Sequence, residues 1–348
     1  MLLDPARDWA LARRSQEVLE SLPAPLSDHA SDETQDAVLE LTTDPCDSPA
    51  RAAAAVQGLR RQLAGRLERM GLVAASAGTH PSTSWTETEI AEGERHQEVY
   101  DTMRELARRE PTFGMHVHIG VADPEAAIRL FNGLRPQLPL LLALSANSPY
   151  WQGRDTGLAS VRTPIFQAFP RVGIPRAFDG YEDWEEAVDR LLRCGAFADA
   201  TFLWWDVRPQ PKFGTVEVRI MDAQSDVEAT AALTALVQAM AHRILEAPRE
   251  DDPVRDEIEL IAENRFLASR DGMDASLIDP ERERCVPARD LLGRTLDELV
   301  EHAQALGSEA ELAGVRDLAR ATGADRQRRA RGESTSLSAV LADLVARF

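Results

Sequence analysis

Apolar residues recur at Ala52, Val56, Leu59, Leu63 and Leu67 in an alanine-rich stretch that opens on Ser48-Pro49. That near-3.6 spacing predicts a helix over Ser48–Arg69. The unbroken apolar run Leu72–Ala77 stops at Gly78-Thr79-His80-Pro81 and predicts a short buried strand. Further helices are predicted over Glu92–Arg109 and over Pro124–Leu134, the second with Asp123 as N-cap and Pro124 at the first helical position. Beyond Ser225, placed to cap the next helix, the pattern is helical almost without break to Phe348. No repeat, low-complexity tract or linker interrupts the chain. One domain over residues 1–348 is expected, with a sheet-bearing part over 1–224 and a mainly helical part over 225–348.

Three short segments alternate instead, and each puts polar groups on one face. In Met115–Val121 the residues Met115, Val117, Ile119 and Val121 face one way and His116 and His118 the other. In Thr215–Ile220 the apolar Val216, Val218 and Ile220 oppose Thr215, Glu217 and Arg219, and in Val38–Leu41 Glu40 points away from Leu39 and Leu41. Strands of this kind pack one face on helices and line a polar cleft with the other. The expected class is α+β, with a largely antiparallel sheet.

Composition narrows the partners. The chain has 348 residues, 39 Lys and Arg against 58 Asp and Glu, and a formal charge of −19. General affinity for nucleic acid or an anionic membrane is excluded on that balance. Lys212 is the sole lysine, so no lysine-dependent phosphate loop exists. Cys46, Cys194 and Cys285 are far apart and odd in number, which argues against a disulfide framework or a cysteine zinc site and for a cytoplasmic setting. No apolar run reaches the ~18 residues a membrane helix needs. The partners expected are small molecules, and a homodimer is compatible with all of this.

Two histidines and several carboxylates on strand faces are ingredients of a divalent-metal site, and the oxygen-rich set favours Mg²⁺ or Mn²⁺ over zinc. Arg219 would lie roughly 7 Å from Glu217 along the strand. That spacing lets a carboxylate hold a metal while a guanidinium meets a phosphoryl oxygen beside it. Taken singly, each feature has an ordinary reading: a hydrogen-bonded histidine pair, a solvated charge face at Glu217 and Arg219, a surface carboxylate at Glu40. Structural or surface roles are expected for His29, His96, His242 and His302, core packing for Trp204-Trp205, and a solvated face for Arg326–Arg329. If Glu217 serves a metal from an open face, Glu217→Gln would reduce turnover with little loss of stability.

Taken together, the segments resemble one family. The blocks are Glu33 through Leu39-Glu40-Leu41 to Cys46, Gly78-Thr79-His80-Pro81, Gly114-Met115-His116-Val117-His118, Leu144-Ser145-Ala146-Asn147-Ser148-Pro149 and Gly153-Arg154-Asp155-Thr156. They continue through Phe169-Pro170-Arg171, Trp205-Asp206-Val207-Arg208-Pro209 and Phe213-Gly214-Thr215-Val216-Glu217-Val218-Arg219. From about Glu33 to Phe348 the sequence is similar to the bacterial carboxylate–amine ligases, the second family of glutamate–cysteine ligases. The resemblance implies a curved, largely antiparallel sheet flanked by helices, as in glutamine synthetase. It also implies an ATP-dependent ligation in which a carboxylate attacks the γ-phosphate and an amine then displaces phosphate. Carried over by motif, Glu33, Glu40, His116 and Glu217 are the expected metal ligands and Arg219 the phosphoryl-stabilising cation. Arg162 and Arg208 are candidates for a substrate carboxylate, on the bidentate chemistry of arginine alone.

Members of that family begin with a strand bearing a Glu-x-Glu pair, followed by a segment resembling Leu2-Leu3-Asp4-Pro5. Here that strand would fall before Met1, and the expectation is a start assigned too far downstream rather than a truncated relative; a chain truly starting at Met1 would be nearly inactive, with a neighbouring strand unpaired unless something else covers it. The alternative reading is a catalytically silent protein that binds an amino acid or nucleotide.

Overall fold

A computed structural model describes residues 1–109, 111–247, 257–334 and 336–348. Its centre is a three-stranded antiparallel ladder in which Thr215–Asp222 lies between Val207–Gln210 and Gly114–Gly120. The apolar positions of these strands form one core with the helices Pro124–Leu134, Leu138–Ser145 and Val227–Glu246. Val207, Val216 and Val218 are fully buried there with Phe131, Leu141 and Leu236. The opposite face of the ladder carries the polar side chains, as alternation required.

The helix entries follow the cap chemistry. Ser48 accepts a hydrogen bond from the Arg51 amide at 3.4 Å at the head of the helix Pro49–Arg69, and Asp123 accepts from Ala126 at 2.8 Å before Pro124–Leu134. At Val227–Glu246 the cap is Asp226, one residue beyond the expected Ser225, because its carboxylate reaches the Ala229 amide at 2.9 Å. The predicted helix over Glu92–Arg109 is two, Glu94–Met103 and Glu105–Arg108, parted by Arg104 at φ 55°. Of the expected strand Leu72–Ala77, Val73–Ala74 forms the strand, and Ala75 extends its pairing by exchanging hydrogen bonds with Met1 at 3.1 and 3.0 Å.

Leu2–Asp4 is a strand with neighbours on both sides, Ala10–Leu11 and Val73–Ala74. The last helix, Ser338–Arg347, returns to it, packing Leu341 and Leu344 with Leu3 and Val38. A hairpin, Ser276–Asp279 with Arg284–Pro287, interrupts the helical half. Asn264 brackets its Ile278, donating to the carbonyl at 2.9 Å and accepting from the amide at 2.6 Å. No helix among the described residues is long and apolar enough to cross a membrane.

Candidate active site

Glu217 sits in the middle of the polar face, opposite Arg208 on one side and His118 on the other. Its carboxylate is 2% exposed. Oε2 accepts from Arg208 Nε at 2.7 Å and from Gln210 Nε2 at 2.9 Å, and Oε1 accepts from the Arg219 guanidinium. His116 Nδ1 lies 3.4 Å and His118 Nε2 3.8 Å from Oε1. Burial opposes ionisation of Glu217, but Arg219, His116 and Arg208 outweigh it and hold the carboxyl well below its ordinary value. His116 is lowered too, by burial first and then by Arg219, with Glu217 opposing, so its imidazole is neutral near pH 7.

The Glu40 strand faces this row. Leu39–Leu41 pairs with Ala30–Asp32, with Glu40 opposite Ser31, and Glu33 follows directly. Glu40 Oε1 is 3.8 Å from His116 Nδ1. Burial and the Glu40 charge push Glu33 up from 4.5 to about 7. Glu40 is also raised, by burial and by Glu217, with Arg219 opposing. Two carboxylates crowded by negative charge, Glu33 by Glu40 and Glu40 by Glu217, form a place where a cation would be welcome.

The expected residues therefore meet in one place. Glu33, Glu40, His116, Glu217 and Arg219 share a cleft face, and His118 joins them, fixed by a 2.9 Å contact between its Nδ1 and Thr215 Oγ1. The donor set suits a hard divalent cation in type, being carboxylates and a neutral imidazole. In arrangement it is looser: among the described residues no three His, Cys, Asp or Glu are gathered closely enough to ligate one ion. Glu33 and Glu40 fit a cation best, since both oxygens of Glu217 already accept hydrogen bonds from Arg208, Gln210 and Arg219.

Arg208 and Arg162 both turn inward. Arg208 directs NH1 to the carbonyls of Thr201 and Leu203 at 2.9 and 2.6 Å, besides its bond to Glu217. Arg162 is 6% exposed and donates to the carbonyls of Ile220 and Arg219. Gln210 escaped the sequence reading, though alternation from Arg208 along Val207–Gln210 would have found it. Other histidines have partners of their own. His80 bonds to the Trp9 carbonyl at 3.0 Å and is lowered to about 4 by burial. His96 contacts Asp32 at 3.1 Å, and His242 contacts His302 at 2.9 Å. Arg326, expected on a solvated face, pairs instead with Asp226, the cap of Val227–Glu246.

The fold is of the α+β class, antiparallel ladders flanked by helices with carboxylates and arginines gathered on one sheet face. A solved glutamate–cysteine ligase from Francisella tularensis, in complex with AMP, superposes with a TM-score of 0.73 at 13% identity, covering 100% of this chain and 86% of that one. A bifunctional glutathione synthetase from Pasteurella multocida gives a TM-score of 0.61 at 14% identity over 91% of this chain and 46% of its own. The sequence is closer to other bacterial proteins. One from Rubrobacter xylanophilus, provisionally named glutamate--cysteine ligase 2-1, is 43% identical over 96% of this chain and 89% of its own length. One from Sorangium cellulosum, provisionally named glutamate--cysteine ligase 2, is 40% identical over 92% and 86%. Residues 2–339 match the glutamate-cysteine ligase family 2, and the chain belongs to that family.

Proposed function

We propose that the chain is an ATP-dependent carboxylate–amine ligase that activates a glutamate-like carboxylate as an acyl phosphate and passes it to an amine. The observation that carries this reading is the buried Glu217 held between Arg208 and Arg219 beside a neutral His116, with Glu33 and Glu40 opposite. In the first step a substrate carboxylate oxygen bonds to the γ-phosphorus as the bond to ADP breaks. In the second, the amine nitrogen bonds to the acyl carbon, phosphate leaves, and the nitrogen gives up a proton.

Arg219 is the residue suited to stabilise charge on the transferring phosphoryl group, since a planar guanidinium presents forked donors to phosphoryl oxygens. Glu217 and Arg208 fix its direction. His116, being neutral, adds a polar contact without a competing charge. Glu33 and Glu40 would hold a divalent cation, with His116 and Glu217 beside them, and such an ion would offset phosphate charge when bound.

The test is ADP release with glutamate and a panel of amines at saturating Mg²⁺ and ATP. Glutamate labelled with ¹⁸O in its side-chain carboxylate should transfer one label to inorganic phosphate, because the acyl phosphate breaks at the acyl carbon. Release of unlabelled phosphate only would refute the acyl phosphate. The loose grouping of metal-type ligands favours a second reading, a protein that binds nucleotide without turnover. Tight ATP binding by calorimetry with no amine-dependent ADP would select it.

A further inference from the structure

The central strand carries an irregularity beside Arg219. Val218 pairs with Val117 and Met221 with Met115, so three steps along one strand match two along its neighbour. The extra residue sets Arg219 and Ile220 together opposite His116, and Ile220 and Met221 both enter the apolar core. A bulge of this kind re-aims a side chain and disturbs the ladder's hydrogen bonding.

One side chain takes both bulge carbonyls. Arg162 donates from NH1 to Ile220 O at 2.9 Å and from NH2 to Arg219 O at 3.2 Å. A guanidinium buried to this degree needs a counter-charge, and Asp222 Oδ1 lies 3.8 Å from NH1. Asp222 is itself fully buried. It accepts from the Asn147 amide at 2.8 Å, Ser148 Oγ at 2.7 Å and Ser160 Oγ at 2.9 Å.

Two glycines make room for the pair. A Cβ on Gly114 would stand 2.5 Å from Arg162 NH2 and 3.1 Å from His116 Nε2, and one on Gly78 would stand 2.6 Å from Asp222 Cγ and 2.9 Å from Ser148 Oγ. The blocks around Gly78, Gly114 and Asn147-Ser148, none of which supplies Arg219 or Glu217, thus converge on one buried unit.

We propose that Arg162 and Asp222 are positioning residues for Arg219: together they lock the bulge that aims its guanidinium between Glu217 and His116, and Gly78 and Gly114 leave the space the lock occupies. The role assigned to Arg219 rests on the ligase reading above. Gly114→Ala is the sharpest probe. It deletes no polar group, and the atom it strikes hardest is the far end of a long side chain, so the fold can survive while the lock shifts; because it also crowds His116 Nε2 at 3.1 Å, Arg162→Lys is its companion.

The experiment is a double-mutant cycle of Gly114→Ala with Arg219→Ala, reading kcat and KM for MgATP in amine-dependent ADP release, with the thermal midpoint of each variant. Gly114→Ala alone should lower kcat on the order of tenfold to a hundredfold with KM and midpoint near the parent's. In the Arg219→Ala background it should add less than about twofold. An equal loss in both backgrounds, or a lower midpoint with unchanged kcat, would overturn the proposal. Arg162→Lys, which does not crowd His116, goes through the same cycle whether or not Gly114→Ala folds, since one ammonium keeps the charge near Asp222 but cannot serve two carbonyls in the same geometry; a Gly114→Ala effect that Arg162→Lys does not reproduce would overturn the proposal. If the parent itself does not turn over ATP, the ligase reading fails alone. The crystal structure of Gly114→Ala then decides: Arg219 displaced from Glu217 supports the lock, and Arg219 unmoved overturns it.

Discussion

Replacing Glu217 by glutamine keeps the volume and removes the charge, and burial makes that change costly. The Glu217 side chain is 2% exposed, and its partners Arg208 and Arg219 are 10% and 14% exposed. Removing one member of a buried ion pair typically destabilises by about 3–5 kcal/mol, because the partner charge is left uncompensated. Here two guanidiniums lose their nearest anion, but Glu33 and Glu40 remain in the cleft, which puts the expected loss near the lower end, about 3 kcal/mol. For 348 residues the unfolding entropy is about 0.7 kcal/mol/K, so the midpoint should fall by about 4 °C. The pH dependence follows from the depressed carboxyl. Its contribution is complete above the unfolded value of 4.5 and fades only as pH falls towards the folded one, so the deficit should be constant between pH 5 and 8. Differential scanning calorimetry of parent, Glu217→Gln and Glu40→Gln reads it directly. Glu40, 41% exposed and crowded by like charge, should change the midpoint little. A Glu217→Gln midpoint equal to the parent's would mean a solvated charge face and refute the buried-pair reasoning. The expectation from sequence, little loss of stability, treated the strand face as open; the cover of Arg208, Gln210 and Arg219 is what changes it.

Glu33→Gln should act in the opposite sense: a carboxyl raised to about 7 by burial and Glu40 binds its proton more tightly folded than unfolded, so the parent loses stability as pH rises from 4.5 through 7. The variant's thermal midpoint should match the parent's near pH 4.5 and exceed it at pH 8, and parallel profiles would contradict the shift. Mg²⁺ added at pH 8 should raise the parent's midpoint more than that of Glu33→Gln, with equal shifts counting against a cation at the Glu33–Glu40 pair. His242→Ala removes a contact between Val227–Glu246 and the helix Ala288–Leu306, well outside the cleft, so kcat should be unchanged while His116→Ala lowers it. Equal losses at the two histidines would strip His116 of any special standing.

Alternation alone placed His116, His118, Glu217 and Arg219 on one face, because each strand has to bury its valines against the helices. It could not say that the face is covered. Whether Glu217 meets water or two arginines depends on Arg208, nine residues away across a hairpin, and on the register that sets them opposite each other. Arg162 shows the same limit. Bidentate chemistry made it a candidate for a substrate carboxylate, but its fork fits two carbonyls of a bulge equally well, and a bulge has no signature in Thr215–Asp222. The hairpin at Ser276–Asp279 went unread because four residues with two apolar positions look like a helix fragment among helices. The break at Arg104 went unread because the apolar spacing runs through it.

The charge layout ties these readings together. Asp222 answers Arg162 within the protein, so that pair adds no net charge to the cleft. Glu217 answers both Arg208 and Arg219, leaving one guanidinium in excess on the central strands. The facing strand pair supplies Glu40 from Leu39–Leu41 and Glu33 just past Ala30–Asp32, which repel each other and share Arg219 as an opposing charge. An anion entering beside Arg219 would therefore meet two carboxylates across the cleft, and their repulsion would cancel the attraction of the arginine. A polyanion arriving with its own divalent cation would meet the reverse, since Glu33 and Glu40 would hold the cation while Arg219 faced the anion's oxygens. On the proposed function, the cleft would discriminate by pairing of charges rather than by net sign. On this layout free ATP should bind far more weakly than its Mg²⁺ complex, whereas equal affinities would place the nucleotide away from Arg219.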